Sequence, residues 1–159
     1  MFLGMTAQTL RPVDPTDLPT LFEHQADPIA ARSAAFPSRD RAAFGAHWKK
    51  ILADEDVITR TILLGDEVAG NVCSYTLDEL RLVGYWVGRE FWGRGVATLA
   101  LTALLVEDPT RPLQAFVLDS NVGSIRVLEK CGFRLDVERS DEEQLLYVLD
   151  SPHAPASGA

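Results

Sequence analysis

Leu82-Val83-Gly84-Tyr85-Trp86-Val87-Gly88-Arg89-Glu90-Phe91-Trp92-Gly93-Arg94-Gly95-Val96-Ala97 decides how this chain is read. The stretch opens as an apolar, β-prone segment. It passes through a turn carrying Gly88, Gly93 and Gly95. It then enters Val96–Val106, which is apolar except for Thr98 and Thr102. That pattern is strand, glycine turn, helix. Such a turn aims several backbone N–H groups at one point, and the helix dipole adds partial positive charge there. The fitting occupant is an anion, most often a phosphate.

Upstream, Val57–Leu64, Val68–Leu77 and Arg81–Val87 read as three strands, with turn signals at Gly65-Asp66 and Asp78-Glu79. Gly70 and Cys73 are small, which suggests close approach on one strand face. Thr9–Val13 reads as a first strand. Leu18, Leu21 and Phe22 follow at helical spacing after Asp14-Pro15-Thr16-Asp17, and Asp27-Pro28 ends that helix. The connection through Phe36-Pro37 reads as loop. Ser38 is a fitting cap for a helix over Arg39–Ala53, whose stripe is Phe44, Trp48, Ile51 and Leu52.

Downstream, Glu107-Asp108-Pro109 stops the apolar helix and Pro112–Leu118 is a strand. Asp119-Ser120-Asn121 caps a helix striped by Val122, Ile125 and Leu128, with Gly132 at its αL end. Arg134–Glu138 and Gln144–Leu149 form a last hairpin. A strand–helix–strand crossover demands one parallel pair in an otherwise antiparallel sheet. The expected fold is therefore α+β: a mixed, mostly antiparallel central sheet with helices on both faces.

With 159 residues and no internal linker, one domain over 7–150 is expected, followed by a flexible tail over 151–159. No apolar run reaches membrane-spanning length, and Met1–Met5 lacks a basic signal-peptide start. The net charge of −8, with no Lys/Arg cluster, argues against nucleic acid. Cys73 and Cys131 form no CxxC and read as buried thiols of a reducing cytoplasm. The three histidines have no ligand spacing, so no metal is expected.

Three phosphate loops could carry the glycine turn. A P-loop ends in Gly-Lys-Ser/Thr, which is absent. A Rossmann turn wants a third small residue where Thr98 stands, and it opens a chain rather than following a meander. The third option fits. Trp92-Gly93-Arg94-Gly95-Val96-Ala97 resembles the acetyl-CoA loop of the GNAT family of N-acetyltransferases, Gln/Arg-x-x-Gly-x-Gly/Ala, with Trp92 replacing the Gln/Arg. Asn121-Val122-Gly123-Ser124-Ile125-Arg126-Val127-Leu128-Glu129-Lys130-Cys131-Gly132-Phe133 resembles the family's second motif. The wider Gly-Tyr-Trp-x-Gly-x-x-x-Trp-Gly-x-Gly-x-Ala-Thr form is similar to the branch holding ribosomal-protein N-terminal acetyltransferases.

The resemblance implies acetyl-CoA as co-substrate and direct acetyl transfer to a primary amine. The acceptor could be a small molecule or a protein N-terminus. It places the cofactor on Val87, Gly88, Arg89, Trp92, Gly93, Arg94, Gly95, Val96, Ala97, Asn121 and Ser124. The position seven after the Asn, often a tyrosine acid in the family, is Leu128 here, which makes Ser124 the candidate acid. Glu90 is the candidate base, with Glu79, Asp78 and His47 behind it. Phe36, His47, Trp48 and Tyr85 are candidate acceptor contacts, although the stripe makes core the first role of Trp48. Tyr85 and Trp86 alternate, so one faces the cleft and the other the core. A homodimer is compatible with the sequence, and the preference for Arg over Lys fits a GC-rich bacterial source. The competing class is a CoA-binding module of the same fold without catalysis.

Overall fold

The order of elements is β1 (Gln8–Pro12), α1 (Leu18–Ala26), α2 (Pro28–Ala34), α3 (Arg41–Ala53), β2 (Ile58–Leu64), β3 (Glu67–Leu77), β4 (Leu80–Val87), α4 (Val96–Glu107), β5 (Leu113–Leu118), α5 (Val122–Lys130), β6 (Arg134–Leu135) and β7 (Gln144–Leu149). The computed structural model describes residues 7–35 and 37–151. One seven-stranded sheet runs β1-β2-β3-β4-β5-β7-β6. Every neighbouring pair is antiparallel except β4–β5. This is the expected mixed sheet, and the single parallel pair falls on the crossover through α4.

Local chemistry explains the boundaries. Asp78 and Glu79 both take positive φ, 49° and 68°, at the tip of the β3–β4 hairpin. Asp78 suits this region, because a short Asp side chain tolerates it better than a branched one. The segment expected as loop after Asp27 is instead α2. The Asp27 carboxylate caps it by accepting from the Ile29 N–H at 2.9 Å, and Pro28 takes the first helical position. Asp-Pro here ends one helix and starts the next, since proline suits a first turn. Asp40 rather than Ser38 caps α3, accepting from the Ala43 N–H. The Ser38 hydroxyl donates instead to the Gln25 carbonyl at the end of α1. The last hairpin is shorter than expected, because β6 pairs at only two residues.

Helices cover both faces. The larger core packs Leu101, Leu104 and Val96 of α4 against Ile62, Val72, Val83, Ala115 and Val117 of the sheet, with Leu128 of α5. The smaller core joins Leu21, Phe44 and Trp48 of α1 and α3. Val83, Tyr85 and Val87 belong to the larger core, so the intervening Gly84 and Trp86 face the α1 side. Gly70 explains itself in the same geometry. A Cβ on it would lie 2.1 Å from the Trp86 carbonyl oxygen, so the close approach is by the backbone of β4.

The pairing of β4 with β5 is what shapes a site. Leu82 with Gln114 is the one register pair joining them among the described residues. Toward Val87 and Leu118 the two strands part. The joined end is braced by Asp108, which is 2% exposed. Its carboxylate accepts from the Ser74 hydroxyl of β3 at 2.6 Å, from Arg81 Nε of β4 at 2.9 Å and from the Thr110 N–H at 3.0 Å. Burial alone would raise the Asp108 pKa, but these donors outweigh it and hold the group at about 2. At the other edge Asp17 accepts from Arg11 and from the Thr61 hydroxyl, and Arg11 above all holds it at about 2 as well.

Both carboxylates sit below the ordinary 3.8, so their stabilisation is complete above roughly pH 4 and is lost as pH falls toward about 2. At about 1.4 kcal/mol per pH unit, each accounts for roughly 2 kcal/mol. Urea melts from pH 6 to pH 2 should show this loss. Asp108→Asn should lower stability at pH 6 and flatten the acid limb; an unchanged limb contradicts the assignment.

Candidate active site

The parting strands enclose a cavity of about 400 Å³. Residues from both sheet faces line it, so it passes through the sheet. On the α5 side stand Tyr85, Asn121 and Ser124; on the α1 side stand Trp86, Phe116 and Ala35. Antiparallel pairing spends the backbone groups of alternate residues. The Gly88 N–H donates to the Ala69 carbonyl at 2.8 Å, so Gly88 and Trp86 are spent on β3. The N–H and C=O groups of Tyr85 and the N–H of Val87 therefore turn toward the gap. The sequence expectation that Gly88 offers its amide to a ligand is corrected by that bond. Of Val87, Gly88 and Arg89, it is Val87 whose backbone points into the opening.

The glycine turn follows at the open end. Gly93 and Gly95 have φ of 75° and 74°, the left-handed region that favours glycine. No side chain caps α4: Gly95 is its N-cap and makes no side-chain hydrogen bond. The first N–H groups of α4 thus receive no side-chain cap. A Cβ at Gly95 would meet no atom within 4 Å, so the backbone angle, not crowding, selects the residue. The side chains around the turn are otherwise engaged. Arg89 pairs with Asp27 at 2.6 Å, and the Arg94 guanidinium lies 5.8 Å from the centre of the Phe91 ring. The Trp92 indole N–H donates to the Val87 carbonyl at 2.9 Å. Trp92 therefore has a polar function, but an internal one.

In the cleft the Asn121 carboxamide caps α5 by accepting from the Ser124 N–H at 3.2 Å. The Ser124 hydroxyl lies 2.6 Å from the Tyr85 hydroxyl, a bridge from β4 to α5. Burial pushes Tyr85 up to about 12, against the opposing hydrogen bond to Ser124. Leu128 also lines the cavity and offers no polar atom. Tyr85, the candidate acceptor contact, lines the cavity on the α5 side with Ser124.

The other candidates stand elsewhere. Trp48 is 5% exposed in the smaller core. His47 is half-buried on α3 and is not among the cavity's lining residues. Phe36 lies outside the described residues. Glu90 is exposed in the turn, while Asp78 and Glu79 are exposed at the far end of β4. Sequence reading missed His24. It is 7% exposed, and neither ring nitrogen has a hydrogen-bond partner. Burial lowers its pKa, with Glu90 and Glu23 opposing. Its ring fills the space beside Gly88, where a Cβ would come within 2.6 Å of Nε2. Its carbonyl accepts from the Trp86 indole at 3.1 Å.

A split sheet, an uncapped helix start and a hydroxyl pair across the gap can now be compared with known proteins. A family model described as the acetyltransferase (GNAT) domain matches residues 8–134. The chain belongs to the GNAT acetyltransferase family. No curated protein matches it significantly. Solved structures share the fold. An acetyltransferase from Agrobacterium tumefaciens str. C58 is 24% identical, with TM-score 0.77, covering 95% of this chain and 97% of that one. A spermidine N-acetyltransferase from Vibrio cholerae, in complex with CoA and spermine, is 14% identical with TM-score 0.79, covering 92% and 96%. RimL, a ribosomal L7/L12 α-N-protein acetyltransferase in complex with CoA, is 17% identical with TM-score 0.77, covering 96% and 98%.

The Gly88–His24 contact gives a direct test. Gly88→Ala overpacks the site and should cost about 1–3 kcal/mol in urea unfolding. In a double-mutant cycle, His24→Ala should cost less in the Gly88→Ala background than in the wild type. Strict additivity would mean that the two residues do not press on each other.

Proposed function

We propose that the protein is an acetyl-CoA-dependent N-acetyltransferase that acetylates a primary amine directly. The observation that carries this reading is the opening between β4 and β5, lined by the Tyr85–Ser124 pair, on a strand that runs on through the glycine turn into the uncapped start of α4. The residues fit the co-substrate. Gly93, Gly95 and the N–H groups of Val96 and Ala97 would hold its pyrophosphate. The gap-facing backbone of Tyr85 and Val87, with Asn121, would hold the pantetheine arm. Acetyl-CoA supplies an activated thioester: carbon–nitrogen bond formation breaks the carbon–sulfur bond, and an ammonium acceptor yields the acetamide, the CoA thiol and one proton.

The chain's own groups supply placement and charge stabilisation. A Val87 N–H aimed at the developing negative oxygen would contribute about 3 kcal/mol, the usual scale for one preset donor. At the sulfur, Tyr85 at about 12 stands above an ordinary thiol at roughly 8.5, so full proton transfer would cost about 5 kcal/mol. Tyr85 keeps its one proton, which in the free protein is donated to the Ser124 carbonyl at 3.1 Å; turning it to the Ser124 hydroxyl oxygen, 2.6 Å away, would leave the Ser124 hydroxyl to donate to the sulfur. The pair stabilises negative charge without surrendering a proton. Among the described residues lining the cavity there is no carboxylate or histidine side chain, so amine deprotonation goes to solvent at the open mouth rather than to Glu90.

Acetyl-CoA should raise the melting temperature; saturation at one hundred times Kd corresponds to about 2.7 kcal/mol. Gly95→Glu should abolish the shift, because it forces a side chain into positive φ and puts negative charge at the anion site. An unchanged melting curve with saturating acetyl-CoA counts against the reading. Ser124→Ala and Tyr85→Phe should each lower kcat about tenfold, measured as thiol released from acetyl-CoA, while keeping the melting shift. A shift without thiol release for any amine would favour the binding module over the enzyme.

A further inference from the structure

What receives the acetyl group is written in the α1-side half of the cleft; this inference rests on the acetyl transfer proposed above. Alternation along each strand sorts the lining residues. Tyr85, Ala115 and Val117 point toward α4 and α5, while Gly84, Trp86, Phe116 and Leu118 point the other way. Ala34 and Ala35, at the end of α2, close that second half. Its walls are two aromatic rings and aliphatic surface. Gln144 adds the one polar side chain, and among the described lining residues there is neither a carboxylate nor a cation.

Two further facts narrow the occupant. Phe116 is 45% exposed although it stands on a central strand, and it is exposed into a concave site rather than on a convex surface. The indole N–H of Trp86 is held by the His24 carbonyl at 3.1 Å, which fixes the ring as a wall. A polyamine or an aminoglycoside would bring several positive charges into this half. It would find no carboxylate among the described lining residues to receive them. Exposed carboxylates, Asp119 and Glu143, lie beyond the mouth, next to Leu118 and Gln144, and are not part of the lining.

We infer that the acceptor is a primary amine carried on an aromatic body, an arylalkylamine, whose ring packs against Trp86 and Phe116 while its single amine reaches the opening at β4. Aromatic pairs prefer offset or edge contacts and add specificity beyond buried area. One charge on a short alkyl arm can stay near the gap while the ring is desolvated. A second or third charge on the body cannot.

The test is thiol release from acetyl-CoA with 2-phenylethylamine, tryptamine, spermidine, kanamycin and a seryl peptide as acceptors. The arylalkylamines should exceed spermidine and kanamycin in kcat/KM by about tenfold or more. Phe116→Ala should lower kcat/KM for 2-phenylethylamine about tenfold, through KM rather than kcat. Phe116 is half exposed, so the variant should fold, which the acetyl-CoA melting shift verifies. Loss of that shift in the wild type would indict the acetyltransferase reading itself. With the shift present, faster turnover of spermidine, kanamycin or the peptide overturns the aromatic acceptor. So does failure of millimolar 2-phenylethylamine both to react and to raise the melting temperature of the CoA-saturated protein.

Discussion

The parting of β4 from β5 is the constraint on which the rest of the structure depends. Two parallel strands joined at one register pair leave backbone edges unspent in the middle of a sheet. Such edges are costly unless something pairs with them. The surrounding elements act to keep the strands apart at one end and together at the other. At the joined end Asp108 draws in β3, β4 and the turn that follows α4. At the open end β4 is pinned to β3 by the Gly88–Ala69 bond and to α1 by the Trp86–His24 bond. Its last residues are therefore held away from β5 by directed bonds, not by slack.

Much of this was legible in the residues. The meander, the glycine turn, the crossover and the cap at Asn121 follow from periodicity and turn chemistry that act over a few residues. The one parallel pair follows from the crossover rule. What could not be read are contacts between residues far apart in the chain. Tyr85 meets Ser124 across 39 positions, and Trp86 meets the His24 carbonyl across 62. No local pattern encodes such a meeting. The α2 helix was missed for a different reason: Asp27-Pro28 is both a stop and a start, and the distinction rests on the Ile29 N–H reaching back to Asp27. Gly88 illustrates a third limit. A glycine at a strand end suggests an amide open to a ligand, but the crowding that demands glycine here comes from the His24 ring.

Strand alternation also divides labour along β4. Odd-numbered residues from Val83 to Val87 face α4 and α5, with their backbone toward the gap, while Gly84 and Trp86 present the opposite surface. One short strand thus serves two chemically unlike chambers, hydroxyl-bearing on one side and aromatic on the other. Either surface can be altered by substitution without re-registering its neighbour, because a change of side chain leaves the pairing with β3 in place. The backbones of β3 and β4 approach closely at Gly70, just behind the opening.

The hydroxyl bridge between Tyr85 and Ser124 has a consequence for how tightly and how fast such a site can work. In the free protein the Tyr85 hydroxyl donates to the Ser124 carbonyl at 3.1 Å and lies 2.6 Å from the Ser124 hydroxyl, so both hydroxyls already have partners. An incoming group that bonds to Ser124 exchanges one hydrogen bond for another, which adds little to affinity. The geometry, however, is set before anything arrives, so no rotor has to be frozen during the reaction itself. The bridge is in effect a spring already at rest length: it grips weakly, releases readily and loses no time in rearrangement. A cleft latched in this way is suited to turnover rather than storage.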